Sequence, residues 1–250
     1  MNTIEWLEAV VASDKPGAMI LEASRSGELA DLLPDLAILD GVPQPKQYHP
    51  EVDTLIHVAM TMDKVVNLGA DRPTRYGMLF HDLGKGITPK EILPHHYGHE
   101  KAGVPIVETI CNKFDLDPAI TKTALTICEW HGYLHVLPSM KPSKIIRLFY
   151  NIGAFDPDQK NADLIVKQYH QACLADHLGR PIFENMPYHQ GELFLKIYEE
   201  IIPAIRQHEI YEFDILNDNK NQNIMVQMIN GIKNIKSDFD NQNIEISPMN

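Results

Sequence analysis

The sequence predicts an all-α protein, and three observations support this fold class. Strict alternation of polar and apolar residues is almost absent, whereas apolar residues recur at i, i+3 and i+4 along most of the chain. Hydrophobic residues make up 44% of the 250 residues, enough for a sizeable core. Helix boundary signals also recur, such as Asp117 followed by Pro118, and Gly179 after a long helical pattern. The length suits one large domain or two small ones.

The helical pattern divides into a series of segments separated by Pro- and Gly-containing connectors. A Pro-rich connector at 40–50 precedes the first long helix, and a Pro- and His-rich loop covers 86–100. The predicted helices span 3–12, 17–33, about 51–68, a segment carrying Met78–Leu83 that ends near Gly84, 117–132, 143–152 with Ser143 as its cap, about 158–178, and 190–208.

The helix predicted over about 51–68 has two different faces. Its expected core face is Val52, Leu55, Ile56, Ala59, Met62 and Val66. A polar stripe of Thr54, His57, Thr61 and Lys64 lies on another side. A histidine in such a stripe is most simply solvated, so His57 by itself does not indicate a site.

The composition changes after about residue 209, where Asn and Asp become frequent and one weak helical pattern remains at 224–235. We interpret this stretch as an appended tail, either a docking helix with frayed ends or mostly disordered chain. The predicted organisation is an N-terminal helical segment at 1–40, a main helical domain at 41–208 and the tail at 209–250.

The charge and cysteine content restrict the function classes. Lys and Arg number 22 against 34 Asp and Glu, and the net charge of −12 argues against tight autonomous binding to nucleic acid. A bound cation could still attract a negative substrate locally. The three cysteines, Cys111, Cys128 and Cys173, form no CxxC pair and lie in apolar stretches, which predicts buried thiols in a reducing compartment.

The N-terminus shows no basic-then-apolar signal, and no apolar run approaches the roughly 18 residues that a membrane span needs. We therefore expect a cytoplasmic protein that does not contact a membrane. The sequence gives no indication of an oligomeric state.

The segment YGMLFHDLGKGITP, residues 76–89, places His81 and Asp82 directly after the apolar run Met78–Phe80. An ionised aspartate beside a core helix is costly unless it is paired or binds a metal. A divalent cation accepts aspartate oxygen and neutral histidine nitrogen together. The alternative is a core histidine with satisfied hydrogen bonds beside an acid at a helix end.

Asp176 ends a stripe of core-facing residues that begins at Ile165, near the C-terminal end of its predicted helix. The helix dipole disfavours an anion there, so a cationic partner is one interpretation and a solvent-facing acid is the other. Together with three earlier residues, Asp176 completes a set of two histidines and two carboxylates with room for water: His57, His81, Asp82 and Asp176.

The order of these four residues resembles the H…HD…D signature of the HD superfamily of metal-dependent phosphohydrolases. Further segments resemble the C-terminal HD domain of bacterial CCA-adding tRNA nucleotidyltransferases. These segments are GVPQPKQYHPEVDTLIH (41–57), HDLGKGITP (81–89), HHYGHEKAGVPIVE (95–108), HGYLH (131–135) and ADHLGRPIFENMPYHQ (175–190), and SGELADLLPDLAILDGVP (26–43) is similar to the stretch just before that domain. The resemblance is collinear over roughly residues 5–205.

The resemblance implies an HD-domain helical bundle over 41–208, with 1–40 packing on it. About 40 residues precede the first of those five segments, so the nucleotidyltransferase head and its CCA addition are not carried over, and we expect a free-standing HD domain. The implied metal ligands are His57, His81, Asp82 and Asp176, and Asp82 is also expected to orient the attacking water. The implied ion is Ni²⁺, Mn²⁺, Co²⁺ or Mg²⁺, and mixed nitrogen and oxygen ligands suit a transition metal better than Ca²⁺.

Five further residues are expected to act on the substrate. Lys85 is a candidate clamp on phosphoryl oxygens, or a cation that complements a helix C-terminus. His99, His131 and His135 are candidates for phosphate binding or general-acid catalysis, with a second metal ion or surface imidazoles as alternatives. His131 and His135 share a helix face if the helix continues through the glycine between them. Arg180 could bind phosphate or cap local structure.

The leading functional hypothesis is a metal-dependent phosphohydrolase acting on a nucleotide or an RNA-end phosphate. Its sharpest form is a 2′,3′-cyclic phosphodiesterase. A 5′-nucleotidase or nucleoside-triphosphate hydrolase on the same fold is the first alternative. The second alternative is a non-catalytic module that binds tRNA or a separately encoded nucleotidyltransferase, although the −12 charge weakens an independent role on tRNA.

Overall fold

The computed structural model describes residues 1–206 and 222–246, and it confirms the all-α prediction. No strand occurs in these ranges, where the only pairing of extended chain is an isolated bridge between Pro43 and Asp53. The α-helices are α1 (Thr3–Ala12), α2 (Pro16–Ser26), α3 (Glu28–Leu32), α4 (Pro34–Ala37), α5 (Thr54–Asn67), α6 (Arg72–Phe80), α7 (His99–Lys113), α8 (Pro118–His135), α9 (Pro142–Ile152), α10 (Gln159–Leu178), α11 (His189–Arg206) and α12 (Gln222–Ile246). Short 3₁₀ helices cover Leu83–Ile87, Lys90–Ile92, Leu137–Ser139 and Pro181–Phe183.

The chain forms two compact units. The first comprises Met1–Gly132 and Lys167–Pro187, and the second comprises Tyr133–Val166 together with the described part of Tyr188–Asn250. The predicted domain borders at 40/41 and 208/209 stay predictions. No described helix is both long enough and apolar enough to cross a bilayer.

In the first unit, helices α1 and α2 pack on α5 and α6 around an apolar core. Polar side chains fix where these helices begin, because Asn2 and Glu5 form a capping box on α1, and Asp53 caps α5. Helix α2 lies so close to α5 that a Cβ atom at Gly17 would approach Ala59 O to 2.5 Å. Only glycine allows this contact, and it fixes the position of α5, which carries His57.

The prediction of one helix over 17–33 was wrong. Gly27 adopts a left-handed conformation (φ 81°) and separates α2 from α3. This conformation is easily reached by glycine and ends a helix. The predicted cap at Ser143 was also wrong, because α9 begins one residue earlier, at Pro142, with Lys141 as its N-cap.

The assignment of the two faces of α5 was wrong in part. Ile56, predicted in the core, is 40% exposed, whereas Thr54, His57 and Thr61 of the polar stripe are buried. The threonine hydroxyls are satisfied by main-chain oxygens, since Thr54 donates to Val42 O at 2.8 Å and Thr61 donates to Val58 O at 2.9 Å. A polar stripe of this kind is tolerated in a core when each group has a partner.

The three cysteines are buried, as predicted, and none forms a disulfide. Burial raises the pKa of all three thiols, and most strongly for Cys128 and Cys173. Such thiols behave as small apolar groups in the core.

The second unit contains the longest helix among the described residues, α12, which extends well beyond the predicted 224–235. Met228, Ile232 and Ile235 form its buried face, and α12 packs against α9 and α11. Lys236 Nζ donates a hydrogen bond to Met140 O at 2.8 Å. The described part of the predicted tail is therefore a docked helix, while 209–221 and 247–250 lie outside the described residues.

We predict that Ile232→Ala destabilises the second unit by about 2–5 kcal/mol, because the substitution leaves a cavity under α12. Ile232 is 1% exposed, whereas Val226 on the same helix is 55% exposed. Urea unfolding followed by circular dichroism measures the difference, with Val226→Ala as the matched control. Equal midpoints for the two variants would show that α12 is not held by this face.

Candidate metal centre

Four side chains from two helices and the end of a third meet inside the first unit. His57 comes from α5, His81 and Asp82 follow α6, and Asp176 comes from the last turn of α10. All four are buried. His57 Nε2 lies 2.9 Å from Asp176 Oδ1 and 3.8 Å from Asp82 Oδ2, and His81 Nε2 lies 3.1 Å from Asp82 Oδ2. The structure thus brings together the four residues predicted as ligands, and His57 and Asp176 do not face solvent.

The end of α6 explains how two adjacent side chains reach one point. Asp71 caps the start of this helix through Thr74 N. The helix ends at Phe80, three residues earlier than Leu83, where the prediction carried it. His81 is the helix C-cap, and Asp82 leaves the helix with φ −108° and ψ 8°. The change of direction between the two residues lets their side chains converge.

Glycine brings a third histidine to the same place. A Cβ atom at Gly84 would lie against His99 O and 2.6 Å from Gly103 N, so the 3₁₀ turn after Asp82 and the start of α7 touch through their main chains. The contact leaves His99 Nε2 3.3 Å from Asp82 Oδ1. His131 on α8 approaches from another side, with Nε2 3.7 Å from Asp82 Oδ1. His99 and His131, candidates for phosphate binding or general-acid catalysis, therefore lie beside Asp82.

The tautomers of three of these histidines follow from their hydrogen bonds. In each, Nδ1 faces a main-chain carbonyl oxygen, which can only accept, so Nδ1 carries the hydrogen. The pairs are His81 with Met78 O at 2.7 Å, His99 with His96 O at 2.8 Å and His131 with Ile127 O at 3.0 Å. In the neutral ring, Nε2 then presents a lone pair to the centre of the cluster.

Lone pairs on nitrogen and carboxylate oxygen repel each other unless a cation lies between them. His81 Nε2, His99 Nε2 and Asp82 Oδ1 are buried, and within the described ranges none of them has a hydrogen-bond partner. Buried polar atoms without a partner are costly. These atoms are the ligand types that a divalent transition metal prefers, so the residues present fit such an ion.

The electrostatics of the cluster keep Asp82 ionised. Burial by itself would raise the pKa of this carboxyl, but the electrostatic influence of the neighbouring His81 and Lys85 side chains holds it well below its usual range. Burial and the neighbouring His81 lower the pKa of His131 to about 3, which keeps that ring neutral. A neutral imidazole beside an ionised carboxylate is the protonation state that metal binding requires.

Lys85 is part of the cluster. Its Nζ lies 2.7 Å from Asp82 Oδ2 and 2.7 Å from Gln44 Oε1, and the residue is 7% exposed. The lysine therefore pairs with the carboxylate that follows α6. Its expected role as a phosphate clamp stays a prediction.

Several combinations of these residues could hold an ion. Three groups among the described residues have one ligand atom from each member within 4.8 Å of the others: His57 with His81 and Asp176, His81 with Asp82 and His131, and His49 with Glu51 and His57. The first two share His81 and lie around Asp82. The third lies on the outer side of His57.

The third group contains two residues that the sequence analysis missed, Glu51 and His49. Glu51 Oε1 lies 3.0 Å from His57 Nδ1 and 2.8 Å from His49 Nδ1. Burial opposes ionisation of Glu51, but hydrogen bonding to the two histidines lowers its pKa to about 2. Glu51 precedes α5 in a connector, and Val52 beside it has a left-handed backbone (φ 59°), which is rare for a β-branched residue. No sequence pattern signals this turn.

A pocket of about 300 Å³ opens beside the cluster. Lys85 and His99 lie in its lining, together with Gln44, His49 and Glu100. A ligand in the pocket could thus contact Lys85 and His99, which both lie beside Asp82.

Two predicted substrate-binding residues have other contacts in the structure. His135 belongs to the second unit, where Tyr188 Oη lies 2.9 Å from its Nδ1. Helix α8 does continue through Gly132, as the prediction of a shared face required. Arg180 lies in the first unit, with its guanidinium 4.7 Å from the ring centroid of Phe183. Their roles toward a substrate stay predictions.

The sequence match to known families agrees with this geometry. The family model of the HD domain matches residues 54–178, half of the chain, a range that begins just before His57 and ends just after Asp176. The chain belongs to the HD domain family. This finding confirms the resemblance inferred from the H…HD…D order.

The HD-domain chain is also similar to curated proteins named multifunctional CCA protein. It is 38% identical to that of Pasteurella multocida over 205 residues, which covers 79% of this chain and 47% of the relative. It is 30% identical to that of Thioalkalivibrio sulfidiphilus over 233 residues, covering 93% of this chain and 56% of the relative. The chain spans about half the length of the curated relatives it matches.

We predict that Glu51→Gln weakens binding of Mn²⁺ or Ni²⁺ about 10- to 100-fold, because residues that orient a metal ligand typically contribute this much to affinity. The amide keeps the shape of the side chain and removes the charge that faces His57 Nδ1. Isothermal titration calorimetry of the full chain measures the effect. Glu91→Gln, at an exposed position of the 3₁₀ helix Lys90–Ile92, is the control for the change in net charge. Wild-type affinity in Glu51→Gln would contradict the prediction.

Proposed function

We propose that this HD domain is a metal-dependent phosphohydrolase that cleaves nucleotide phosphoesters, with 2′,3′-cyclic phosphodiesters as its substrates. The observation that carries the proposal is the pair of buried ligand atoms His81 Nε2 and Asp82 Oδ1, which have no hydrogen-bond partner among the described residues. His57, His81, Asp82 and Asp176 would hold a divalent ion. When bound, such an ion lowers the pKa of water and polarises a phosphoryl oxygen.

The protein's own residues supply the rest of the chemistry. Lys85 is a buried cation in the pocket lining, placed to offset the negative charge that develops on phosphoryl oxygens. His99 lies in the same lining, with Nε2 3.3 Å from Asp82 Oδ1, and is the candidate general acid toward the leaving oxygen. His81 and His131 are buried beside Asp82, with their Nε2 atoms 3.1 and 3.7 Å from its carboxylate oxygens.

The reaction balances with water as the only co-substrate. The water oxygen bonds to phosphorus, and the bond from phosphorus to one ribose oxygen breaks. The proton moves to that ribose oxygen, which leaves a 2′- or 3′-phosphomonoester. The negative charge of the protein, −12 overall, opposes binding of a long phosphate backbone, and this supports a mononucleotide or a single RNA end as the substrate.

The relatives supply a second candidate. Because the chain is similar to part of multifunctional CCA proteins, it could serve as a binding module for tRNA or for a nucleotidyltransferase, as the sequence also suggested. The complete ligand set around Asp82 favours the catalytic proposal. A 5′-nucleotidase or nucleoside-triphosphate hydrolase would use the same residues on another phosphoester, and a substrate panel separates these activities.

We predict that the full chain supplied with Ni²⁺ or Mn²⁺ hydrolyses 2′,3′-cAMP, and that His81→Ala reduces turnover below detection because it removes one lone pair from the centre. Phosphate product analysis by chromatography measures the rate. His189→Ala, at a half-exposed histidine of the second unit, is the control, and circular dichroism establishes that both variants fold. Turnover that persists in His81→Ala would overturn the site, and inactivity of the wild type toward the whole panel would favour the binding module.

A further inference from the structure

The rim of the pocket beside Lys85 and His99 is aromatic. Tyr48 and Tyr97 line the pocket, and they are 53% and 80% exposed. The ring of His95 lies parallel to that of Tyr97, with an interplanar angle of 13° and centroids 5.5 Å apart. Isolated exposed aromatic residues are common on protein surfaces, but a stacked pair at the mouth of a pocket presents an organised flat face.

The stacked pair is tied closely to the cluster. Tyr97 precedes Gly98, whose left-handed backbone (φ 77°) turns the chain into α7, and His99 is the first residue of that helix. His99 in turn donates its Nδ1 hydrogen to His96 O, and its Nε2 lies 3.3 Å from Asp82 Oδ1. Tyr97 is only two residues before His99 in the chain, and both line the pocket. A flat group stacked on Tyr97 would therefore lie near the histidine that faces the phosphoester.

The lower part of the pocket has polar groups suited to a sugar and a phosphate. Gln44 is 2% exposed, and its Oε1 accepts a hydrogen bond from Lys85. Its Nε2 is buried and has no partner in the described part of the chain, so this donor would be satisfied by an oxygen of a ligand in the pocket. Glu100 also lies in the lining and would accept from hydroxyl or amino groups.

We propose that Tyr97, stacked on His95 and aided by Tyr48, is the platform for the nucleobase next to the phosphoester that is cleaved. The proposal rests on the proposed phosphohydrolase function and adds the part of the substrate that the pocket selects. Aromatic stacking accepts every base, so the platform favours nucleotides over esters without a base and discriminates little among bases. A volume of about 300 Å³ is at the lower end for small-ligand pockets and suits one nucleotide rather than a folded RNA.

The test compares two cyclic phosphodiesters that differ in the base: 2′,3′-cAMP and glycerol 1,2-cyclic phosphate. In Tyr97→Leu, the ratio of kcat/KM for the first over the second falls about tenfold, the size expected for one stacked base. Tyr97→Phe keeps the wild-type ratio, since the ring and not the hydroxyl stacks. Tyr150→Leu, at an exposed tyrosine of the second unit, is the matched control. An unchanged ratio in Tyr97→Leu overturns the platform.

A binding measurement separates failure of this proposal from failure of the proposed function. Calorimetry of the full chain with Mn²⁺ compares 2′-AMP with inorganic phosphate, and Tyr97→Leu is expected to weaken only 2′-AMP, by about tenfold. If no phosphodiester is cleaved but this difference is found, the catalytic proposal fails and the platform stands. If the phosphodiesters are cleaved but Tyr97→Leu changes neither the kcat/KM ratio nor the affinity for 2′-AMP, the platform alone fails.

Discussion

Repulsion between lone pairs around Asp82 is the constraint on which the centre of this structure depends. His81, His99 and His131 each use their Nδ1 hydrogen on a main-chain carbonyl, and each turns Nε2 toward the same carboxylate. Charge from Lys85 offsets part of this repulsion, but it reaches only one of the two carboxylate oxygens, Oδ2. An arrangement this poor in hydrogen bonds is unfavourable for a purely structural core and well suited to a cation.

Helix capping, helix packing and the pocket position the residues around Asp82 and make them accessible. Capping at Asp71 fixes where α6 begins, and the early end of α6 points His81 and Asp82 at one place. Close packing of α2 against α5 positions His57, whose two ring nitrogens lie near Glu51 and Asp176. The pocket then gives solvent and ligands access from one side, where Lys85 and His99 lie. Contacts between a ligand and the aromatic rim of the pocket would position the phosphoester, whereas the fold itself positions the residues around Asp82.

The features of this protein that depend on residue type and spacing could be predicted from its sequence. The all-α class and most helix positions followed from periodicity, and the meeting of His57, His81, Asp82 and Asp176 was implied by their resemblance to the HD signature. Features that depend on tertiary packing were not predicted. Thr54 and His57 of the polar stripe are buried because their partners, Val42 O and Asp176, come from other segments of the chain. Glu51 reaches His57 through an unusual turn at Val52. Tyr97 was not singled out, because its stacking on His95 depends on the shape of a loop.

The main-chain contact at Gly84 has a consequence for how the protein can open. The turn after Asp82 and the first turn of α7 are in contact through their main chains, with no side chain between them. His99 belongs to the second of these segments. Separating the two segments would break up the histidine cluster in the same event, so local breathing of the 86–98 loop and loss of the centre are one motion. Any ion or ligand held there would consequently slow amide exchange through the first turn of α7, beyond His99 itself.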